Sequence, residues 1–402
     1  MTRIQEQYDA YPYPERDPAD EASRLVTGSP SHPAEMDHCA FAGRRDWSQP
    51  MRILVAGGGT GDGLIQLATM LTAMKTPHEI LYLDLSVSAR EIAEARAKVR
   101  GLTSIRFETG DLLSAAERGA FDYIDCCGVL HHLPDPQAGF DVLAGALAPD
   151  GALGLMVYAP LGRSGVYPLQ AAFSALAAGT PKERLAQAKA IFRNVPEGHP
   201  FKRNPHLLDH EASDAGFYDL LLHSQDVAMT APTLLDHLDA AGLRLSSFAQ
   251  PALYDLLRLL PRGMAVPSDL EPKASFGLAE ALRGTIKVHV AYAVPKTASN
   301  RRAQSSDPAC IPNLKGVKAR QLAQAVANSG RVKFRDSGSA IEEPLDRAAA
   351  PLIAGIDGRR SLGEIAHAAK LDPIAFNAIW GGVDRVLGDW GLMWYSGWRG
   401  QT

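Results

Sequence analysis

Apolar positions in this chain gather into short runs that end on glycine or aspartate. Met51 to Ala56 is one such run, closed by Gly57-Gly58-Gly59-Thr60-Gly61. An unbroken apolar run bounded by glycines predicts a strand covered on both faces. Helical spacing follows from Asp62 to about Met74, as expected when the apolar period changes from a run to 3.6 residues. A second run, Glu79 to Leu83, ends in Asp84, and a helix carrying Ile92, Ala93 and Ala97 comes after it. Three more strands are predicted at Ser104 to Phe107, Phe121 to Cys127 and Ala152 to Tyr158, with helical spacing from Gln137 to Leu147. Strands alternating with helices in this way predict an α/β domain, a doubly wound parallel sheet with helices on both faces. In such sheets a ligand sits at the carboxyl ends of the strands, and every suggestive residue lies at such an end.

Outside this stretch the texture differs. Residues 1–50 mix aromatics with turn formers such as Pro12, Pro14, Pro18, Pro30 and Pro33, which predicts an irregular leader lying over the cofactor site of the main domain. Residues 51–295 form that domain, with a mostly helical insert at 160–240 on the acceptor side. Leu243 to Phe248 and Thr285 to Val294 are its remaining strands, the latter alternating as in an antiparallel edge pair. A polar stretch at 296–308, rich in Ser, Asn and Arg, predicts a linker. Residues 309–402 then form a small α+β unit, with helices at Ser361 to Ala369 and Pro373 to Leu387 and a strand in Gly391 to Trp398.

Composition narrows the function classes. With 46% hydrophobic residues over 402 positions, the chain can bury a large core. Its net charge of −4, without a block of Lys or Arg, argues against a nucleic-acid partner. The cysteines Cys39, Cys126, Cys127 and Cys310 form no CxxC pair, so a zinc ribbon or a dithiol redox site is not expected and they are read as reduced thiols. His199 and His223 are too isolated to suggest metal ligands, and no metal is expected. No run approaches the roughly 18–20 apolar residues of a membrane span, and the N-terminus lacks a signal-peptide pattern. A cytoplasmic protein is the expectation.

The glycine loop lets a ligand approach the backbone at the start of a helix. It is no phosphate loop, because no Gly-Lys-Ser/Thr follows. Asp84 suits a ribose, whose two hydroxyls donate to one carboxylate, or it caps the helix beginning near Ser86. These two features alone also fit a nicotinamide dinucleotide. The later motifs separate the cases: Thr109-Gly110-Asp111-Leu112, then Phe121-Asp122-Tyr123-Ile124 leading to Gly128-Val129-Leu130-His131-His132-Leu133 with Asp135-Pro136, and Leu147-Ala148-Pro149-Asp150-Gly151 turning into the fifth strand.

As an ordered series over residues 51–158, these motifs resemble the class I S-adenosylmethionine (SAM)-dependent methyltransferases. The resemblance implies a Rossmann-like seven-stranded domain, SAM as cofactor and S-adenosylhomocysteine as product. By position, Gly57, Gly59, Thr60 and Gly61 would line the methionine part, Asp84 and Leu85 the ribose, and Gly110, Asp111 and Leu112 the adenine. Gly128 and Val129 would flank the cofactor near the acceptor. A narrower likeness, carried by Tyr8-Asp9-Ala10-Tyr11-Pro12-Tyr13-Pro14, by the GVLHHLPDP segment and by Asp219 to His223, is to a bacterial subgroup. It includes methyltransferases fused to tetratricopeptide repeats and rickettsial enzymes that methylate lysines of an outer-membrane protein. No such repeat occurs here, and the glycine loop reads AGGGTG where the subgroup has AGCGTG.

Methyl transfer needs alignment, exclusion of water and an acceptor that has lost its proton. His131 and His132 are candidate bases, or else packing residues of a turn. Tyr11 and Tyr13, with Tyr8, are candidate phenols in the leader, or they only pack it down. Tyr158, His199, Lys202, Asp219, His223 and Gln225 are candidate walls of an acceptor pocket, although solvated surface is the expectation for each. The acceptor is a protein, through a lysine, or a small molecule; a regulatory SAM-binding protein without catalysis is the third reading. The C-terminal unit resembles small winged-helix or peptide-chaperone-like modules. Its helix at Pro373 to Leu387 carries Arg385 as its one basic residue, which disfavours DNA readout. Trp380, Trp390, Trp394 and Trp398 form either a protein-binding surface or the core of a small domain, and core is the expectation.

Overall fold

The computed structural model describes residues 3–299, 301–336 and 338–400; Asn300 of the predicted linker and both chain ends lie outside them. In chain order the elements are α1 (Arg3–Ala10), α2 (Pro33–Ala40), β1 (Met51–Ala56), α3 (Asp62–Ala73), β2 (His78–Asp84), α4 (Val87–Val99), β3 (Ile105–Thr109), β4 (Phe121–Cys127), α5 (Pro136–Gly145) and β5 (Leu147–Tyr158). The roof follows as α6 (Val166–Leu176), α7 (Pro181–Arg193), α8 (Asp209–Ala212) and α9 (Asp214–Leu222), then α10 (Ala231–Ala240), β6 (Leu243–Phe248), α11 (Pro272–Arg283) and β7 (Val288–Pro295). The C-terminal unit holds β8 (Pro312–Leu314), α12 (Ala319–Ser329), β9 (Arg331–Asp336), β10 (Ser339–Pro344), α13 (Ala350–Ala354), α14 (Leu362–Ala368), α15 (Pro373–Val383) and β11 (Met393–Tyr395).

The first seven strands make one sheet in the order β3-β2-β1-β4-β5-β7-β6. β1 to β5 run parallel, and β7 enters antiparallel between β5 and β6. The alternation of β7 predicts an antiparallel edge pair, and β7 forms it with β6, which takes the edge itself; β7 is paired on both sides, and Ala291 to Val294 are buried. Two apolar layers cover the faces, one around Leu54, Ile124, Phe140 and Leu155, the other around Ile53, Leu64, Tyr82 and Tyr123. Cys126 is buried, whereas Cys127, at the carboxyl end of β4, is exposed.

The leader is more ordered than its composition predicts. Its first half is α1 and a stretch ending in a short turn of helix at Pro18–Ala22, and it lies against the glycine loop and α4. Buried Arg96 of α4 ties it down: its guanidinium donates to Glu21 at 2.8 and 2.6 Å, to the Thr60 carbonyl at 2.7 Å and to Asp62 at 2.8 Å. Arg16 meets both oxygens of Asp62 at 2.9 and 2.6 Å. The second half is α2, all eight of whose residues are buried. Proline at its first position and His32 as cap start it, His32 Nδ1 accepting from the Ala34 N–H.

α2 also carries the C-terminal unit. Tyr395 N–H donates to His38 Nδ1 at 3.2 Å, and the Ser396 hydroxyl to Asp37 at 2.6 Å. The predicted linker is held as well, with the Ala303 N–H on the His38 carbonyl at 2.7 Å and Arg302 on Asp389 at 3.0 Å. The four tryptophans are buried, as a core reading requires. Trp380 sits in the small unit's own core, whereas Trp394 and Trp398 join the core under the main sheet.

Candidate active site

At the carboxyl ends of β1 to β4 the backbone is partly exposed at Gly57 to Gly59, Asp84 and Leu85, Gly110, and Gly128 and Val129. The sheet order sets these segments side by side. Gly57, Gly59 and Gly61 have φ of 67°, 51° and 98°, a region that L side chains avoid. A side chain at Gly57 would also run into Val129. The result is a cradle floored by backbone. Asp84 crosses it, one oxygen accepting from the Gly59 N–H at 2.8 Å and the other from the Ser86 N–H at 2.8 Å. Burial raises the Asp84 pKa, and those N–H groups offset part of the rise. Each oxygen retains a lone pair for a hydroxyl donor. Thr60 is buried and spends its hydroxyl on the Pro14 carbonyl at 2.7 Å, so its side chain holds the leader. Asp111 is exposed and caps the turn at Leu112, its carboxylate accepting from the Leu113 N–H. The residues fit a nucleoside cofactor with an extended tail: a carboxylate for a diol and a floor without side chains.

Beyond Gly128 (φ 80°) the chain makes a single turn of helix at Leu130–His132, which buries both histidines. Segments far apart in sequence meet there. His132 stacks on His223, the cap just past α9, with centroids 3.7 Å apart, and His131 lies 3.9 Å from the Tyr158 ring. Asp219, one helical turn before His223, accepts the Tyr8 hydroxyl at 3.2 Å and the Tyr158 hydroxyl at 3.2 Å. Arg163, nine-tenths covered or more, lies 3.6 Å over the Tyr158 ring and pairs with Asp226 at 3.2 Å. Asp219 and His223 are therefore buried rather than solvated as predicted. Their spacing of four on a helix sets them on one face, and that was the available signal. Nothing in the sequence flags Arg163.

Proton positions follow from the backbone groups each ring meets. The Gln225 carbonyl can only accept, so His132 Nδ1, 2.8 Å away, carries a proton and Nε2 keeps its lone pair. His223 Nδ1 accepts from the Gln225 N–H at 3.1 Å, so its Nε2–H faces the Tyr8 oxygen at 3.1 Å. Burial, then neighbouring His132, pushes the pKa of His131 and of His223 well down, keeping both neutral. Burial, then Asp219, pushes Tyr8 and Tyr158 well up. Burial also raises Asp219, against His132 and Arg163.

Two sets of side chains here, His131 with His132 and Asp226, and His132 with Asp219 and His223, are close enough to share an ion. The tautomers oppose it. His131 Nδ1 accepts the Tyr158 N–H at 3.4 Å and His223 Nδ1 accepts that of Gln225, which leaves Nε2–H donors where a metal needs lone pairs.

Of the three leader tyrosines, Tyr8 is the one shown against a histidine. Tyr11 stacks on Tyr218 of the roof at 5.1 Å. Tyr13 lies between, its carbonyl over the glycine loop and its hydroxyl raised in pKa by burial and by Asp219. His199 and Lys202 stay outside; Lys202 pairs with Glu197 at 2.6 Å.

Residues 54–153 match a family described as a methyltransferase domain. They lie in the seven-stranded sheet that the resemblance to class I SAM-dependent methyltransferases implies, and the fold is similar to that of a rickettsial enzyme. Among solved structures it is similar to PKMT2 from Rickettsia typhi, both in complex with AdoHcy and without it. Each match has a TM-score of 0.63 at 12% identity and covers 93% of this chain and 77% of that one. An uncharacterized protein from Synechococcus sp. is 31% identical over 250 residues, 60% of this chain. The match spans 58% of that relative's length, less than two thirds. Among the described residues no helix is long and apolar enough to cross a membrane.

Proposed function

We propose that this protein transfers the methyl group of SAM to an amine nitrogen, that of a protein lysine. Gly57, Gly59 and Gly61 would carry the methionine part, Asp84 and Leu85 the ribose, and Gly110, Asp111 and Leu112 the adenine. Gly128 and Val129 would face the reacting end. SAM supplies an electrophilic methyl on a sulfonium; the residues of this chain position the acceptor and take its proton. The observation that supports an amine is the Asp219 carboxylate ringed by Tyr8, Tyr158 and the histidines. A buried carboxylate beside aromatic faces suits a cation. His132 Nε2 is the base: its lone pair accepts the ammonium proton while Nδ1–H stays on the Gln225 carbonyl. The freed nitrogen lone pair then bonds to the methyl carbon as the carbon–sulfur bond breaks. The leader closes the site against water, and Tyr13 stands at its edge.

A small-molecule amine is the second reading, favoured by the depth at which the roof buries Asp219. Four free cysteines suit a reducing compartment, and we place the protein in the cytoplasm. The test is transfer of label from methyl-labelled SAM to fractionated bacterial lysate, with Asp84→Ala as control. Label in protein, mapped to lysine and absent with the variant, supports the proposal. Label confined to small molecules overturns the protein acceptor, and failure of the wild type to bind SAM overturns the activity.

A further inference from the structure

Tyr158 ends β5, next to the strand that leads into Gly128, whose N–H donates to the Met156 carbonyl at 3.0 Å. Nearly all of its bonding capacity is engaged. The Tyr158 N–H donates to His131 Nδ1 at 3.4 Å, and its carbonyl accepts the Met229 N–H at 2.9 Å. The His131 ring lies 3.9 Å from the phenol ring, and the Arg163 guanidinium 3.6 Å over it. At those distances the two fit only on opposite faces. Arg163 is fixed in turn by Asp226 and by the Tyr167 hydroxyl at 3.0 Å. The Tyr158 hydroxyl gives its proton to Asp219 at 3.2 Å. A hydroxyl oxygen also has lone pairs to offer, and among the described residues no donor reaches this one. Tyr8 differs, since its oxygen gives a proton to Asp219 and also receives the His223 Nε2–H at 3.1 Å. His131, His132, Asp219 and His223 are buried, whereas Tyr158 is half-buried. Both faces of its ring being covered, the ring meets open space through its edge, and the hydroxyl is on that edge.

Donation to a carboxylate polarises a hydroxyl and makes its oxygen a better acceptor. With its proton on Asp219, the Tyr158 oxygen accepts and does not donate. His132 Nε2, with its lone pair, is a second acceptor. A ring nitrogen of His132 and a carboxylate oxygen of Asp219 lie within 4.8 Å of each other, so one small group spans the base and the Tyr158–Asp219 pair. A group between two acceptors must bring at least two hydrogens. An ammonium does. An alcohol or a thiol brings one, which goes to His132; nothing is then left for Tyr158, and the resulting anion faces the Asp219 charge.

We propose that the Tyr158 oxygen holds the acceptor nitrogen, accepting one N–H of the ammonium while His132 takes the proton of another, and that this pair of acceptors selects nitrogen over oxygen and sulfur nucleophiles. The inference rests on the proposed methyl transfer from SAM to an amine and names the residue that aims its nitrogen. The N–H kept on Tyr158 fixes the direction of the freed lone pair, which bonds to the methyl carbon as the carbon–sulfur electrons pass to sulfur. Asp219 is a positioning residue that turns the phenol. The test uses the full chain, methyl-labelled SAM and unfractionated bacterial lysate, with initial rates over a series of lysate concentrations. Tyr158→Phe keeps the ring between His131 and Arg163. It should raise the apparent KM for the lysate acceptor about tenfold to a hundredfold, the loss of one hydrogen bond to a charged group. The turnover number should change less, and the SAM dissociation constant by calorimetry should not change. Tyr158→fluorotyrosine, with fluorine beside the hydroxyl, separates the two uses of that group: the O–H becomes a better donor to Asp219 and the oxygen a poorer acceptor. Burial and Asp219 hold the phenol protonated. A raised KM is expected, whereas a residue that only holds Asp219 would leave KM unchanged or lower it. The label, mapped by mass spectrometry, should lie on nitrogen. Wild-type KM in Tyr158→Phe, or an unchanged or lowered KM with fluorotyrosine, overturns the role of Tyr158 and leaves the methyl transfer standing. Label from the wild type on oxygen or sulfur, or no label, overturns the amine reading and this inference with it.

Discussion

Arg96→Met is the perturbation that bears most directly on how the leader is held. The guanidinium is 1% exposed, as against 3% for the Glu21 side chain and 27% for that of Asp62. It makes four hydrogen bonds: two to Glu21, one to Asp62 and one to the Thr60 carbonyl. Removing one member of a buried pair costs about 3–5 kcal/mol, because the other charge stays buried. Two neighbours reduce that here. Arg100 still reaches Glu21, and Arg16 still holds Asp62, so the lower end, about 3 kcal/mol, is expected. The Thr60 carbonyl, in the glycine loop, also loses its donor, so SAM affinity should fall with stability. Arg100→Met, in contrast, removes a partly exposed arginine whose carboxylate keeps Arg96, and should cost about 1 kcal/mol or less. The assay is urea unfolding of wild type, Arg100→Met, Arg96→Met, Glu21→Leu and the Glu21→Leu/Arg96→Met double variant, the Glu21 and Arg96 proteins forming a double-mutant cycle with wild type. A loss under about 1 kcal/mol for Arg96→Met, or a coupling with Glu21 near zero, would refute the claim that this contact fastens the leader.

Burial lifts the Asp125 pKa to about 6 despite the Ser31 hydroxyl. A carboxyl with a raised folded pKa binds more protons folded than unfolded, so its contribution is present in acid and fades as pH rises from about 4 to about 6, by roughly 3 kcal/mol for two units. The stability of wild type relative to Asp125→Asn should therefore fall across that window; parallel profiles would refute this. His132→Gln should lower turnover by about 10²–10⁴, the range for a lost general base, with SAM affinity retained in a calorimetric titration. Tyr8→Phe should slow turnover whereas Tyr11→Phe should not; equal effects in a single-turnover assay would contradict the placement of Tyr11 on the roof. Gly57→Ala should abolish SAM binding, since the new Cβ meets Val129 at a positive φ; wild-type affinity would refute the cradle.

The sequence by itself determined the sheet and the line of the cradle. Buried parallel strands must be apolar on both faces, so β1 to β5 appear as runs, and the glycines and acids that end them are a local code. Asp84 and the positive-φ glycines could therefore be placed without coordinates. The order of the last two strands could not, because alternation marks β7 as one of an antiparallel edge pair without saying that it lies inside β6, which packing decides. The leader misled for a related reason: composition shows its prolines, whereas burial of α2 depends on the C-terminal unit and the sheet closing on it from two sides. The histidine cluster was half legible. His131 and His132 follow a recognisable strand end, but Tyr8, Tyr158 with Arg163, and Asp219 come from three separate segments, and no local pattern records that they meet.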